Sequence, residues 1–410
     1  PKRRPLPDHL HTIRIEHEPA STQCACGCQL RRIGEDVSEK LHFRPAQFYK
    51  EQHIRGKWVC DQCDTLTQQA MPAYVIDKGI ASPELLSHVL VSKYADHLPL
   101  YRQRLIYQRA GIDLSRSTLS DWIGRCGVEL EPLANALKQV VLQQRVIHAD
   151  ETPVTIMRMG ENEKKPKKGY VWAYATTQYN PVQAVIYDFQ DSRSGQHAEE
   201  FLNGWQGHLV CDDYSGYKAR FKSGDVIEVG CMAHARRKFH ELHVTGKSQI
   251  AEQALVLIQK LYAIEAELRK KTDSTAEHRR EYRQQHSQQV RQQLYEWLNQ
   301  HDLTVPSSSP TAKAINYSLK RWPALSRYLD DGNLPIDNNW AENSMRPWAL
   351  GRKNWLFAGS LRSGQRAANI MTLIQSAKLN GLDPYAYLSD VLKKLPTHKV
   401  TQIEELLPHC

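Results

Sequence analysis

Apolar positions change their spacing twice along the chain. Over 82–145 they recur at helical intervals, from SPELLSHVLVSKYADHLPLYRQRLIYQRAGIDLSRSTLSDWIGRCGVELEPLANALKQVV onwards, and Ser82 before Pro83 is a helix start with proline at the first position. From Arg145 the texture becomes short and strand-like. RVIHADET, GYVWAYAT and AVIYDF are rich in β-branched and aromatic residues and predict three strands, the first two joined by the polar MGENEKKPKKG. SGQHAEEFLNGW then reads as a helix, GHLVCDDYSGY as a strand entering a turn, DVIEVG as a fifth strand and CMAHARRKFHELH as a helix. The order β-β-β-α-β-α-β-α, with a short element after the fourth strand, predicts a mixed sheet with helices on its faces. Residues 248–330 return to helical spacing and are very polar, which marks an insertion in an α/β domain or a domain of its own.

Composition narrows the class. The 410 residues are 41% hydrophobic and 24% charged, enough for two or three globular domains. No apolar run is long enough to cross a bilayer and no secretory signal opens the chain. It begins PKRRPLPDHL without Met, as expected of a processed product or a fragment. The net charge of +9 favours a polyanionic partner.

Nine cysteines fall unevenly, as Cys24, Cys26, Cys28, Cys60, Cys63 and four singletons. An odd count with local clustering argues against a secreted disulfide scaffold. Cys60-Asp-Gln-Cys63 is a metal knuckle, and Cys24 and Cys26 are the expected partners around a structural zinc, with Cys28 as substitute. Buried unliganded thiols are the bland alternative.

Between Leu98 and Arg125 a helix ends near Ala110-Gly111, and Ser115 or Ser117 caps a second helix carrying Asp121, Trp122 and Arg125. That is a helix-turn-helix layout, or equally a scaffold hairpin.

Four acidic residues stand out. Asp150 is expected at the end of the strand VIHAD, Asp212 and Asp213 at the end of HLVCDD, and Glu342 in IDNNWAEN after the helical block. Asp337 or Asn338 is suited to cap the last helix, and Pro347 is expected to end or kink it. The plain reading makes Glu342 a surface partner of Arg346 one turn away. The sharper one has acids from two strand ends and a later helix holding two magnesium ions roughly 4 Å apart for phosphoryl transfer.

HADETPV, CDDYSGY, GCMAHARRKF, IDNNWAENSMRPWALGRKNWLFAGSLRSGQRAA and IGEDVSEKL together resemble the insertion-sequence 66 type of DDE transposase, large catalytic subunit, over essentially the whole chain. The resemblance implies an α/β, ribonuclease H-like catalytic domain with a helical insertion, preceded by a zinc-binding module and a helical DNA-binding region. The expected division is a basic arm at 1–20, the zinc module at 21–75, the helix-turn-helix-like region at 82–145, the catalytic domain at 146–375 with its insertion at 248–330, and a helical tail at 376–410.

It implies Asp150, Asp212 and Glu342 as catalytic acids binding Mg2+ or Mn2+, although Asp213 stands where the family pattern has glycine. Zn2+ is structural. Arg346, Arg352, Lys353, Arg362 and Arg366 are expected on the DNA backbone, with Asn338 and Asn339 orienting the site. Cys231-x-x-His234 resembles a signature of several transposase families and is expected to pack or position. The implied partners are double-stranded DNA at element ends and target, a second copy of the chain, and accessory proteins of the same element. The implied location is the bacterial cytoplasm, at the nucleoid. A non-cutting DNA-binding regulator and a ribonuclease H-like nuclease without strand transfer are the competing functions.

Overall fold

A computed structural model describes residues 48–410 except 56, 60, 61, 63–65, 69, 78, 158–164 and 272–274. The chain divides into two compact units, 1–68 and 69–410. In the first, β1 (Lys57–Val59) pairs antiparallel with β2 (Leu66–Gln68). Cys24, Cys26, Cys28, Cys60 and Cys63 lie outside the described residues.

The second unit begins with four helices: α1 (Pro83–Tyr94), α2 (Leu100–Arg109), α3 (Arg116–Glu129) and α4 (Glu131–Leu142). Ser82 caps α1 through the Leu85 N–H, and Ser115 caps α3 through the Thr118 N–H at 3.0 Å. Gly111, at φ +79°, makes the left-handed turn out of α2 that a side chain would oppose. Leu119, Trp122, Ile123 and Cys126 bury one side of α3, while Ser117, Ser120, Asp121 and Arg125 stay exposed.

The sheet follows: β3 (Val146–Ile156), β4 (Lys167–Thr176) and β5 (Val185–Gln190), α5 (Gly195–Phe201), β6 (Gly207–Cys211), α6 (Lys218–Ser223), β7 (Val226–Gly230) and α7 (Met232–Gly246). Spatially the strands run β5-β4-β3-β6-β7, antiparallel among the first three and parallel from β3 to β6 to β7. Then come α8 (Gln249–Lys270), α9 (Ala276–Asp302), α10 (Pro310–Lys320), α11 (Trp322–Ser326), α12 (Asn339–Trp355), β8 (Phe357–Ala358) parallel to β3, α13 (Leu361–Leu379) and α14 (Pro384–Lys394).

Strand parity sorts the sheet into two cores. Ile147, Ala149, Leu209 and Cys211 join a core with α1–α4 and α13. Val146, Val210 and Val229 face the other way, into a core made with α7–α11. The edge strand β5 does not waste its N–H groups: Val185 donates to Ser376 Oγ and Tyr187 to Thr372 Oγ1, both on α13.

Two local expectations change. Asp150 is not at a strand end, because β3 continues to Ile156 with Asp150 opposite Ala173 of β4. The helix carrying Glu342 does not stop at Pro347 but runs through it to Trp355. Proline removes one helical hydrogen bond, and the helix is retained by burial of Met345 and Trp348 on either side.

Candidate active site

β3 and β6 run parallel with His148 opposite Val210, and continuing that register brings Asp150 beside Asp212 just beyond the end of β6. Both positions share the parity of Val146 and Val210, so their side chains leave the sheet on the α7 side. β6 stops at Cys211 while β3 goes on, pairing with β8 at Thr155 and Ile156.

Asn338 ties the helix of Glu342 to β3. It is fully buried, donates through Nδ2 to the Ala149 carbonyl at 2.8 Å, and its Oδ1 lies 2.7 Å from His148 Nδ1. Its own carbonyl accepts the Glu342 N–H. The first turn of α12 is thereby fastened to the residue before Asp150. Asn338 makes no side-chain cap; Asp337 instead accepts from the Asn339 N–H and from the Tyr262 hydroxyl of α8 at 2.8 Å.

Glu342 does not pair with Arg346. Its carboxylate meets α7, with Oε2 3.3 Å from Arg237 Nη2 and Oε1 3.6 Å from His234 Nδ1.

The electrostatics of the three acids differ from those of their neighbours. Burial, then the negative fields of Glu151, Glu342 and Asp212, push the Asp150 carboxyl up to about 8. Asp212 accepts the Tyr214 N–H at 2.8 Å. Asp213 is held by Arg321 Nη1 at 2.5 Å and Lys218 Nζ at 3.0 Å, and these cations lower its pKa despite partial burial. Glu151 points to the opposite face of β3, where Arg193 and the Tyr217 hydroxyl bind it. So Asp213 and Glu151 are each held by an arginine, while Asp150 lies within electrostatic reach of Asp212 and Glu342. Three oxygen donors of this kind suit a hard divalent cation, whose charge would offset the burial and repulsion that raise Asp150.

The basic residues divide. At about 100° per residue, positions 342, 346 and 353 share one face of α12, and Arg346 and Lys353 are exposed on it. Arg352 turns inward, its Nη1 donating to Thr152 Oγ1 at 2.9 Å and the Pro153 carbonyl at 2.5 Å. Arg362 is exposed in the first turn of α13. Arg366 lies half-buried against Gly124 and Gly127 of α3, where any side chain would collide with it.

His148 and Arg321 were not among the sequence candidates for the site. The HAD and KRW contexts offer no local signal for either, since each acts on a partner more than 100 residues away.

Comparison with known proteins gives three family matches. The Transposase IS66 family model covers residues 78–366, the IS66 C-terminal element covers 372–409, and the zinc-finger binding domain of transposase IS66 covers 21–64. Similar proteins include the uncharacterized proteins y4qI and y4hP of Sinorhizobium fredii (strain NBRC 101917 / NGR234). They are 38% and 34% identical, each over 100% of this chain and over 78% and 76% of their own lengths. A third, y4jD of the same organism, is 38% identical over 98% of this chain and 81% of its own length.

Proposed function

The chain belongs to the transposase IS66 family, and from that we propose a DDE transposase that cleaves DNA at the ends of an insertion sequence and joins the freed 3′-OH to target DNA. The catalytic domain is read as ribonuclease H-like, a reading supported by its mixed sheet with acids at adjacent parallel strands. The observation that supports this function is that Asp150 is pushed up to about 8 by burial and by the negative fields of Glu151, Glu342 and Asp212.

These three carboxylates would hold Mg2+ or Mn2+, which when bound supplies Lewis-acid activation and charge neutralisation at a scissile phosphate. The protein's part is placement. Asn338 keeps Glu342 in register with Asp150, and Arg321 draws Asp213 away so that Asp212 is the member of the pair left for the site. Arg346, Lys353 and Arg362 are placed to take DNA phosphates, while Arg352 and Arg366 first support α12 and α3. No side-chain nucleophile is needed, because the attacking groups are water and then a DNA 3′-OH.

The match of 21–64 to the family's zinc-finger domain supports structural zinc, with Cys24, Cys26, Cys60 and Cys63 as the proposed ligands. Binding of element ends by α2 and α3, assembly with a second copy on DNA, and accessory proteins of the same element complete the reading. No helix among the described residues is long and apolar enough to cross a membrane.

The test is magnesium- or manganese-dependent nicking of DNA bearing the element's end. Asp150→Asn, Asp212→Asn and Glu342→Gln are each expected to lose on the order of a thousandfold in rate, with DNA binding retained. Asp213→Asn is expected to keep most of it. A parent chain that binds this DNA without cutting it, indifferent to all four changes, supports the regulator instead.

A further inference from the structure

Glu342 belongs to a second donor group that the carboxylate set does not use. Cys231 sits at the N-cap of α7 and is fully buried. Its Sγ accepts the backbone N–H of Asn338 at 3.2 Å. A backbone N–H donor of this kind is what a metal-bound sulfur accepts from its surroundings.

His234 follows one turn later. Its Nδ1 and the Glu342 Oε1 are both buried, both without a hydrogen-bond partner, and face each other across 3.6 Å. That gap is too long for a hydrogen bond. It suits two donors to one ion, since zinc bonds of about 2.0–2.1 Å at tetrahedral angles separate their donors by roughly 3.4 Å. Sulfur, imidazole nitrogen and carboxylate oxygen all lie within 4.8 Å of one another.

We propose that Cys231, His234 and Glu342 form a site for a thiophilic divalent cation, represented by Zn2+, which takes Glu342 out of the oxygen-only set and so competes with magnesium. Binding exchanges the Cys231 thiol proton, released to solvent, for a zinc–sulfur bond, and leaves the fourth position to water. The other cation at the site is Arg237, which contacts Glu342 Oε2 at 3.3 Å and His234 Nε2 at 3.5 Å. It is half exposed and free to turn into water as the ion enters. A carboxylate with sulfur and nitrogen beside it selects zinc, whereas Asp150 and Asp212 offer only oxygen and suit magnesium. The competition rests on the reading of Glu342 as third acid; the binding does not.

The experiment counts zinc per chain in the 410-residue protein by elemental analysis after equilibration with micromolar Zn2+, beside Cys231→Ser, His234→Gln and, as a control for the N-terminal cysteines, Cys60→Ser. Cys231→Ser and His234→Gln are each expected to hold one zinc fewer than the parent, with unchanged circular dichroism. The sulfur-to-cobalt absorption of the Co2+-loaded parent is expected to fall by one increment in both Cys231→Ser and His234→Gln. Equal zinc content in the parent and both variants overturns the site. In magnesium-dependent nicking, micromolar Zn2+ is expected to inhibit the parent at least tenfold more strongly than Cys231→Ser. Equal inhibition of the two overturns the competition. A parent that never nicks counts against the transposase reading, and the zinc count still decides the site.

Discussion

Glu265 and Asp150 are both carboxylates withdrawn from water, and their surroundings treat them in opposite ways. Glu265 on α8 is 1% exposed and meets Arg283 of α9 through two bonds, Nε to Oε1 at 2.7 Å and Nη2 to Oε2 at 2.9 Å. Arg283 also donates to the carbonyls of Tyr328 and Leu334, at 2.9 Å each, to that of Asp331, and through Nη2 to the Tyr179 hydroxyl. Asp150 has no such partner: burial first, and then the acids Glu151, Glu342 and Asp212, push it up. A balanced buried pair organises the chain around it. A buried group among like charges is stabilised by a proton or a cation, and that difference sets the two surroundings apart.

The balanced cluster also serves the crowded one. The three carbonyls held by Arg283 lie in the segment that leads to Asn338 and Glu342, and Tyr262 of α8 binds Asp337 directly. The helices of 248–330 therefore brace the approach to the third acid.

Removing one partner of the balanced pair gives the largest expected loss of stability. Arg283→Ala leaves Glu265 buried and uncompensated and is expected to destabilise the fold by about 3–5 kcal/mol, read from chemical denaturation. A melt indistinguishable from the parent's would erase the distinction between the clusters.

The crowded cluster responds with the opposite sign. With its pKa raised in the folded chain, Asp150 binds its proton more tightly there than when unfolded. Its contribution is thus complete at pH values below the unfolded carboxylate range and is lost as pH rises through about 8. In metal-free buffer the parent is expected to lose a few kcal/mol over that window, of the order set by about 1.4 kcal/mol per pKa unit. Asp150→Asn is expected to flatten the profile, and magnesium to restore stability at the alkaline end. A parent and variant with parallel pH profiles would show that the acids do not crowd.

The smallest effect belongs to the link between them. Tyr262→Phe deletes one hydroxyl and is expected to cost about 1 kcal/mol. It is also expected to raise the magnesium concentration needed for half-maximal nicking, with DNA affinity unchanged. An unaltered magnesium requirement would mean that α8 braces nothing the site depends on.

What was legible in the sequence is what local periodicity encodes. Alternating β-branched and aromatic residues mark β3, β4 and β5, Ser82 and Ser115 mark the starts of α1 and α3, and the long polar helices of 248–330 interrupt the strand pattern as their spacing says. The acidic residues proposed for the site could be picked out, because few residue types do that chemistry. Their partners could not. Arg321, 108 residues beyond Asp213, decides which of two adjacent aspartates is neutralised. Glu342 turns to His234 and Arg237, 105 residues from the latter, and not to Arg346 one turn away. Pro347 stays within α12 because Met345 and Trp348 are buried beside it. Helical and strand periods report on which face of an element is apolar, over a few residues at a time. Charge pairing and burial depend on what the folded chain brings within a few ångströms, and for these residues only the tertiary structure decides that.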